Sequence, residues 1–331
     1  MSVKDLPCVG AKSRVLYRLF CRHNTRFARN WHAPMNALKA ALVKLFLHGF
    51  ALLPLGVSRA VGRTLAAAYW QLNGAAARVT RRNIELAFPH LAPAERDALA
   101  RDSLLATGEL AAEMGWVWLR PWPVIAARIE SVEGAQLVTE ALAAGSGVVI
   151  LAPHIGNWEV LGLHLATLGP TVSLFEPPHL VALEPVMRRA RERSGATLVP
   201  TDSRGLARLL RSVRQGGIAG ILPDQVPRSL NAGENVEFMG VRCFTPTLAC
   251  QMIRRSGATA VVGTALRTAR GFRVIYTAAE PDVASEDIHT ALQAMNRGVA
   301  AAVAQAPAQY QWEYKRFKVR PREGRDVYHD L

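Results

Sequence analysis

His154 and Glu159 stand five residues apart in the string Pro153-His154-Ile155-Gly156-Asn157-Trp158-Glu159. An imidazole beside a carboxylate is a minimal set for general-base catalysis. One ring nitrogen takes a proton from a hydroxyl, while the acid fixes the tautomer and stabilises the charge gained. The spacing sets a condition. On one continuous helix, side chains at i and i+5 point far apart around the axis. Glu159 therefore reaches His154 only if His154 lies in the turn before a helix and folds back over it. Taken alone, the pair reads more simply as a helix cap and a surface acid. Arg188, Arg191 and Arg193 crowd a short segment. Their guanidinium groups suit paired hydrogen bonds to phosphate, although a solvated basic helix is the plainer reading. Asp224 and Gln225 follow an apolar run. With no metal-ligand spacing beside it, Asp224 reads as a structural carboxylate that anchors an arginine.

The elements that must position these groups are legible in part. Val148 to Ala152 is a short apolar run after a glycine turn, as expected of a buried strand. His154 follows it directly, and reactive groups in open α/β sheets gather at the carboxyl ends of strands. A helix N-terminus next to the ring disfavours the imidazolium and leaves a neutral base. Further strands are expected at Thr171–Phe175, Thr197–Pro200, Gly217–Leu222, Thr259–Leu266 and Phe272–Thr277. Helices are expected at Trp158–Thr167, Glu184–Arg193, Gly205–Gln215, Thr247–Arg255 and Glu286–Gln305. This alternation predicts an α/β fold, a mixed, mostly parallel sheet flanked by helices. Upstream, Pro93 in a polar start favours a helix N-terminus, and the segment ends in Trp116, Trp118 and Trp122. These tryptophans suit either a membrane interface or ordinary packing.

The chain has 331 residues, half of them hydrophobic, and a formal net charge of +14. That composition excludes disorder. The charge implies an anionic partner: nucleic acid, an acidic protein or substrate, or an anionic membrane surface. No zinc-finger spacing or RNA-binding signature supports nucleic acid. Cys8, Cys21, Cys243 and Cys250 match neither a metal knuckle nor a redox pair, which fits a reducing compartment. No cofactor or metal is called for. The N-terminus lacks the pattern of a cleavable signal. Arg14, Arg18, Arg22 and Arg26 would share one face of a helix within a basic extension, residues 1–35. Residues 36–72 read as helices broken near Pro54, apolar and basic with no acids. Their most apolar run, Leu45 to Val57, is shorter than the ~20 residues that cross a bilayer. A helix lying in the interface is preferred to a single tilted span.

The His154–Glu159 string resembles the HxxxxD/E motif of glycerolipid-type acyltransferases, and its Gly-Asn-Trp-Glu ending is similar to the lipid A biosynthesis late acyltransferases. Five more blocks occur in that family's order: Arg82–Pro89, Arg191–Ser194, Pro223–Gln225, Phe238–Gly240 with Thr245–Thr247, and the closing Gln309–Lys318. The likeness runs from about residue 36 to 322, one acyltransferase domain followed by a tail at 323–331. It departs at Phe175-Glu176-Pro177-Pro178, where the family often carries Tyr-Arg. The resemblance implies transfer of a fatty acyl chain from acyl carrier protein to a hydroxyl of a phosphorylated glycolipid, a lipid A precursor, at the cytoplasmic face of the inner membrane. His154 would be the general base, oriented by Glu159. Asn157, Arg188, Arg191, Arg193, Asp224 and Gln225 would bind substrate. Backbone amides near Gly156 and Asn157, or an arginine, would receive the oxyanion, and the Trp312–Lys318 string would pack the sheet and offer cations to the membrane. Another glycolipid acceptor, such as a phosphatidylinositol mannoside, or a catalytically silent membrane-bound relative would fit the same blocks.

Overall fold

A computed structural model of the chain describes residues 37–178, 180–320 and 326–331. The Arg14–Arg26 stripe, Cys8 and Cys21 lie outside the described residues. The chain enters as two helices, α1 (37–52) and α2 (Leu55–Gln71), divided at Pro54 as the sequence predicts. Helix α3 (Ala75–Ala87) and the long α4 (Pro93–Leu119) follow. Pro93 opens α4 where no backbone donor is needed, and the Glu95 carboxylate accepts from the Ala92 amide at 2.7 Å. Helices α2 and α4 cross in backbone contact at two glycines. A Cβ on Gly62 would sit 2.3 Å from the Gly108 carbonyl oxygen, so neither position admits a side chain.

Beyond α5 (Trp122–Ala126) the chain builds a seven-stranded sheet. Its strands are β1 (Ile129–Glu133), β2 (Val148–Leu151), β3 (Thr171–Phe175), β4 (Thr197–Pro200), β5 (Ile218–Ile221), β8 (Thr259–Arg267) and β9 (Phe272–Ala278). The spatial order is β1-β9-β8-β2-β5-β3-β4. Only β8 and β9 pair antiparallel, so the sheet is mixed and mostly parallel, as expected. The separate hairpin of β6 (Gly233–Phe238) and β7 (Val241–Pro246) turns at Met239 and Gly240. Both turn residues have positive φ, the mark of a two-residue hairpin whose twist matches its strands.

Alternation along β2 divides the core. Val148 and Ile150 face α4, α6 (Gln136–Ala143) and α7 (Trp158–Leu168). Val149 and Leu151 face α9 (Ser203–Arg214), α10 (Leu248–Ser256) and α11 (Ile288–Gln305). The remaining helix, α8 (Glu184–Glu192), contacts α4, α7 and β4. A strand buried on both sides needs an unbroken apolar run, and Val-Val-Ile-Leu supplies it. Trp116 is buried in the first of these layers and Trp118 and Trp122 pack against it, so packing accounts for the tryptophan cluster. The outer side of α1 and α2 is different. Leu38, Leu42, Leu45, Val57, Val61 and Leu65 are exposed there. No helix of the described residues is long and apolar enough to cross a membrane.

Candidate active site

His154 lies in the loop between β2 and α7, in the turn ahead of the helix. Neighbouring β5 runs parallel to β2, so the carboxyl ends of the two strands lie side by side. Asp224, three residues beyond β5, thereby meets His154. Its Oδ1 stands 2.7 Å from His154 Nδ1, and its Oδ2 accepts from the His154 backbone amide at 2.9 Å. This clasp fixes both the ring and the loop beneath it. Burial would push the Asp224 carboxyl up, but the His154 charge and hydrogen bonds, with the Arg316 charge behind them, hold it below the ordinary carboxylate range. An ionised carboxylate only accepts, so Nδ1 carries a proton, which leaves Nε2 as the ring nitrogen that could exchange one with a substrate. The edge of Trp158 packs against the imidazole, ring centres 4.9 Å apart.

Glu159 does not orient His154. It sits in the first turn of α7, where Arg191 of α8 takes both carboxylate oxygens: Nε to Oε2 at 2.9 Å and Nη2 to Oε1 at 2.5 Å. Helix geometry turns Glu159 away from the loop that precedes it, and the partner of His154 comes from the next strand instead. Asp224, expected to anchor an arginine, instead meets His154 with both carboxylate oxygens. The Glu159–Arg191 fork borders an apolar cavity of about 640 Å³, its open mouth included. The cavity runs from Trp158 beneath α7 to Leu165, with Leu198 and Leu222 opposite. Two small residues open it. Gly220 lies on its floor, and a Cβ on Gly162 would meet nothing within 4 Å.

The other residues expected to bind substrate are mostly engaged within the protein. Asn157 is fully buried, accepting from the Val160 amide to cap α7 and donating to Glu113 at 2.8 Å. Arg193 donates to the carbonyls of Trp118, Arg120 and Ala190, tying α8 to the end of α4. Arg188 stays half-exposed, between Glu184 and Glu192 and over the Phe175 ring. Gln225 bonds Gln311 at 3.1 Å. The Gly156 and Asn157 amides, expected to receive an oxyanion, already donate to Gln309 and Ala265 carbonyls. Gly156 has φ +62°, and a Cβ there would lie 2.1 Å from the Ala265 oxygen.

Two further groups hold this loop. The first is a buried ionic relay. Glu113 of α4 is wholly buried, and its two oxygens are shared between Arg59 of α2, at 2.6 Å, and Asn157. Arg59 also donates to the carbonyls of Thr268 and Gly271, and Arg267 donates to the Gly156 carbonyl at 2.9 Å. Removing one member of such a buried network typically costs about 3–5 kcal/mol, because its partners remain charged and desolvated. The sequence carries a signal for Glu113: an acid at i+3 from Leu110 and i−4 from Val117, both buried in α4. The second is the closing string, which straps the loop and does not supply surface cations at Arg316. Gln311 donates from its amide to the His154 carbonyl at 3.0 Å, and the buried Tyr310 phenol is raised above its ordinary range by burial first and by the nearby Asp224 charge. Arg316 is buried, donating to the Phe244 carbonyl and to Thr245. Asn83, from the Arg82–Pro89 block, donates to the carbonyls of Trp312 and Tyr314. Burial raises the Glu313 carboxyl above its ordinary range, within reach of the His154 charge. Nothing in their spacing singles out Tyr310 or Arg316, because the contacts that define them span some seventy residues or more.

A histidine clasped by an ionised carboxylate, beside an apolar cavity, is an arrangement suited to moving an acyl group onto a hydroxyl. Comparison with known proteins agrees. Residues 24–319 match the family model described as bacterial lipid A biosynthesis acyltransferase. The chain is 26% identical over 247 residues to the lipid A biosynthesis palmitoleoyltransferase of Escherichia coli K12, covering 73% of this chain and 79% of that one. The lauroyltransferase of the same organism is 24% identical over 247 residues, covering 74% and 80% of the two chains. Its myristoyltransferase is 25% identical over 255 residues, covering 74% and 78%. The chain is an acyltransferase and belongs to the bacterial lipid A biosynthesis acyltransferase family.

Proposed function

We propose that this enzyme transfers a fatty acyl chain from the thioester of acyl carrier protein to a hydroxyl of a lipid A precursor, with His154 as general base and Asp224 as its orienting acid. The observation that carries the reading is the two-point clasp of Asp224 on His154, next to the apolar cavity. In the reaction, His154 Nε2 takes the hydroxyl proton as the oxygen attacks the thioester carbonyl carbon. The tetrahedral intermediate then collapses, the carbon–sulfur bond breaks, and the imidazolium returns the proton to the departing thiolate. Asp224 stabilises the imidazolium between those steps. General-base assistance of this kind is worth roughly 10²–10⁴-fold in rate. The cavity beneath α7 holds the acyl chain, and the Glu159–Arg191 pair forms its polar border near the reacting carbon. The relatives named for lauroyl, myristoyl and palmitoleoyl groups support a long-chain donor.

The exposed apolar side of α1 and α2, with Lys39, Lys44 and Arg63 beside it, supports a lipid-facing surface that seats the enzyme on an anionic bilayer without spanning it. Because α2 lies against α4 and reaches the active loop through Arg59, residues 36–322 are read as one unit. The test is lipid A mass spectrometry on cells lacking the gene, complemented with wild type or His154→Ala. Wild type adds one acyl group to the precursor; the variant, folded and membrane-bound, adds none. Near-normal acylation by His154→Ala would overturn the mechanism.

A further inference from the structure

The net charge of +14 is not spread evenly over the surface. Arg204, Arg208 and Arg211 are exposed on α9 at spacings of four and three, which places them on one face. Arg254 and Arg255 are exposed in the last turn of α10, which packs on α9. Arg214 donates to the Arg255 carbonyl at 2.7 Å and pins the two helices together. Among the described residues, none of these first five arginines forms an ion pair, whereas Arg63, Arg81, Arg188 and Arg297 on other surfaces all do. Glu234 and Glu286 share a polar cleft with Arg254 without closing on it. Helix electrostatics account for cations at the end of α9 but not for Arg204 in its first turn, where a positive charge opposes the dipole. The stripe therefore answers to something outside the chain.

We propose that this α9–α10 face is the docking site for the acidic carrier protein that presents the acyl thioester. The proposal rests on the donor reading given above. Two features of the fold choose this occupant over a lipid surface. Helices α9 and α10 pack on the Val149 and Leu151 side of the sheet, while α2 and α4, with the exposed apolar residues, belong to the opposite side. A bilayer that receives α1 and α2 leaves the arginine face turned to water. The second feature is where α9 begins. Asp202 caps it directly after β4, accepting from Gly205 at 2.8 Å. Because β4 and β2 run the same way within the sheet, the start of α9 lies on the edge that carries His154. Leu198 of β4 lines the acyl cavity. A partner held by Arg204 and Arg208 thus stands at the strand that walls that cavity. A flexible arm has only to pass over the end of β4 to deliver its thioester.

The experiment uses the full-length enzyme on vesicles containing anionic phospholipid, comparing wild type with Arg204→Glu/Arg208→Glu/Arg211→Glu. Purified acyl carrier protein loaded with the preferred chain is the donor. KM for this donor is expected to rise tenfold or more with kcat near wild type, and its salt dependence is expected to flatten. Turnover of the same chain on a small pantetheine thioester and binding to vesicles should both be unchanged. Reversal of Arg101 and Arg270, on other surfaces, is the charge control and should leave KM alone. Thermal melts establish folding, and the triple glutamine variant, with a smaller rise in KM, replaces the reversal if that protein is unstable. An unchanged KM in either folded, active variant overturns the docking face. Loss of vesicle binding with KM intact overturns it in favour of a lipid surface. A wild-type enzyme that takes no acyl group from the carrier protein overturns the donor reading as well.

Discussion

The two residues of the HxxxxE string end up in pairs of different kinds. His154 and Asp224 share one side-chain hydrogen bond, through Nδ1. Glu159 and Arg191 close on each other through a fork that uses both carboxylate oxygens. The second pair is held charged, since the Glu159 charge raises the Arg191 guanidinium above its ordinary value despite burial. The five-residue spacing therefore does not bring the imidazole to Glu159. It places a histidine in a turn and a glutamate at a helix start, and each recruits its partner from a distant segment.

Substitution can break that contrast or sharpen it. The largest effect after loss of His154 is expected for Asp224→Asn, which removes the carboxylate that fixes the Nδ1 proton. Steady-state assays should show kcat lower by roughly 10²-fold or more, with KM for either substrate little changed. Glu159→Gln should act more weakly, mainly by loosening Arg191, with KM for the acyl donor up about tenfold and kcat down less than tenfold. A kcat for Glu159→Gln as low as that of Asp224→Asn would erase the distinction between the pairs. The smallest effect on rate belongs to the cavity. Gly162→Leu fills space that a Cβ does not reach, so product analysis should show a shorter chain preferred at nearly unchanged turnover. Retention of the wild-type chain length would remove the cavity from the account of chain selection.

Much of the frame was legible because its signals are local. The buried run of β2, the break at Pro54 and the Pro93 start of α4 need only a few residues to be recognised, and the turn position of His154 followed from the end of that run and the helix start near Asn157. The partner of His154 was not legible. Seventy residues separate Asp224 from it, and only the adjacency of β2 and β5 in the sheet unites them. Strand order is a property of the whole chain, not of any window. Arg193 and Asn157 misled for a related reason: residue type shows what a side chain can bind, while the fold decides whether its capacity is already filled. The β6–β7 hairpin went unread as strands, although Met239-Gly240 is its turn.

The strap formed by Gln309 to Arg316 also has a meaning in time. The loop carrying His154 leaves the ribosome more than 150 residues before the amide of Gln311 can bond its carbonyl. During synthesis the base and its acid are both present for a long interval without the segment that holds them. Such long-range closure is slow relative to local helix formation. The Gln311–His154 bond is thus among the last contacts of the loop that the growing chain can make. A chain cut before Gln309 would keep every residue assigned to the chemistry and lack the geometry to use them.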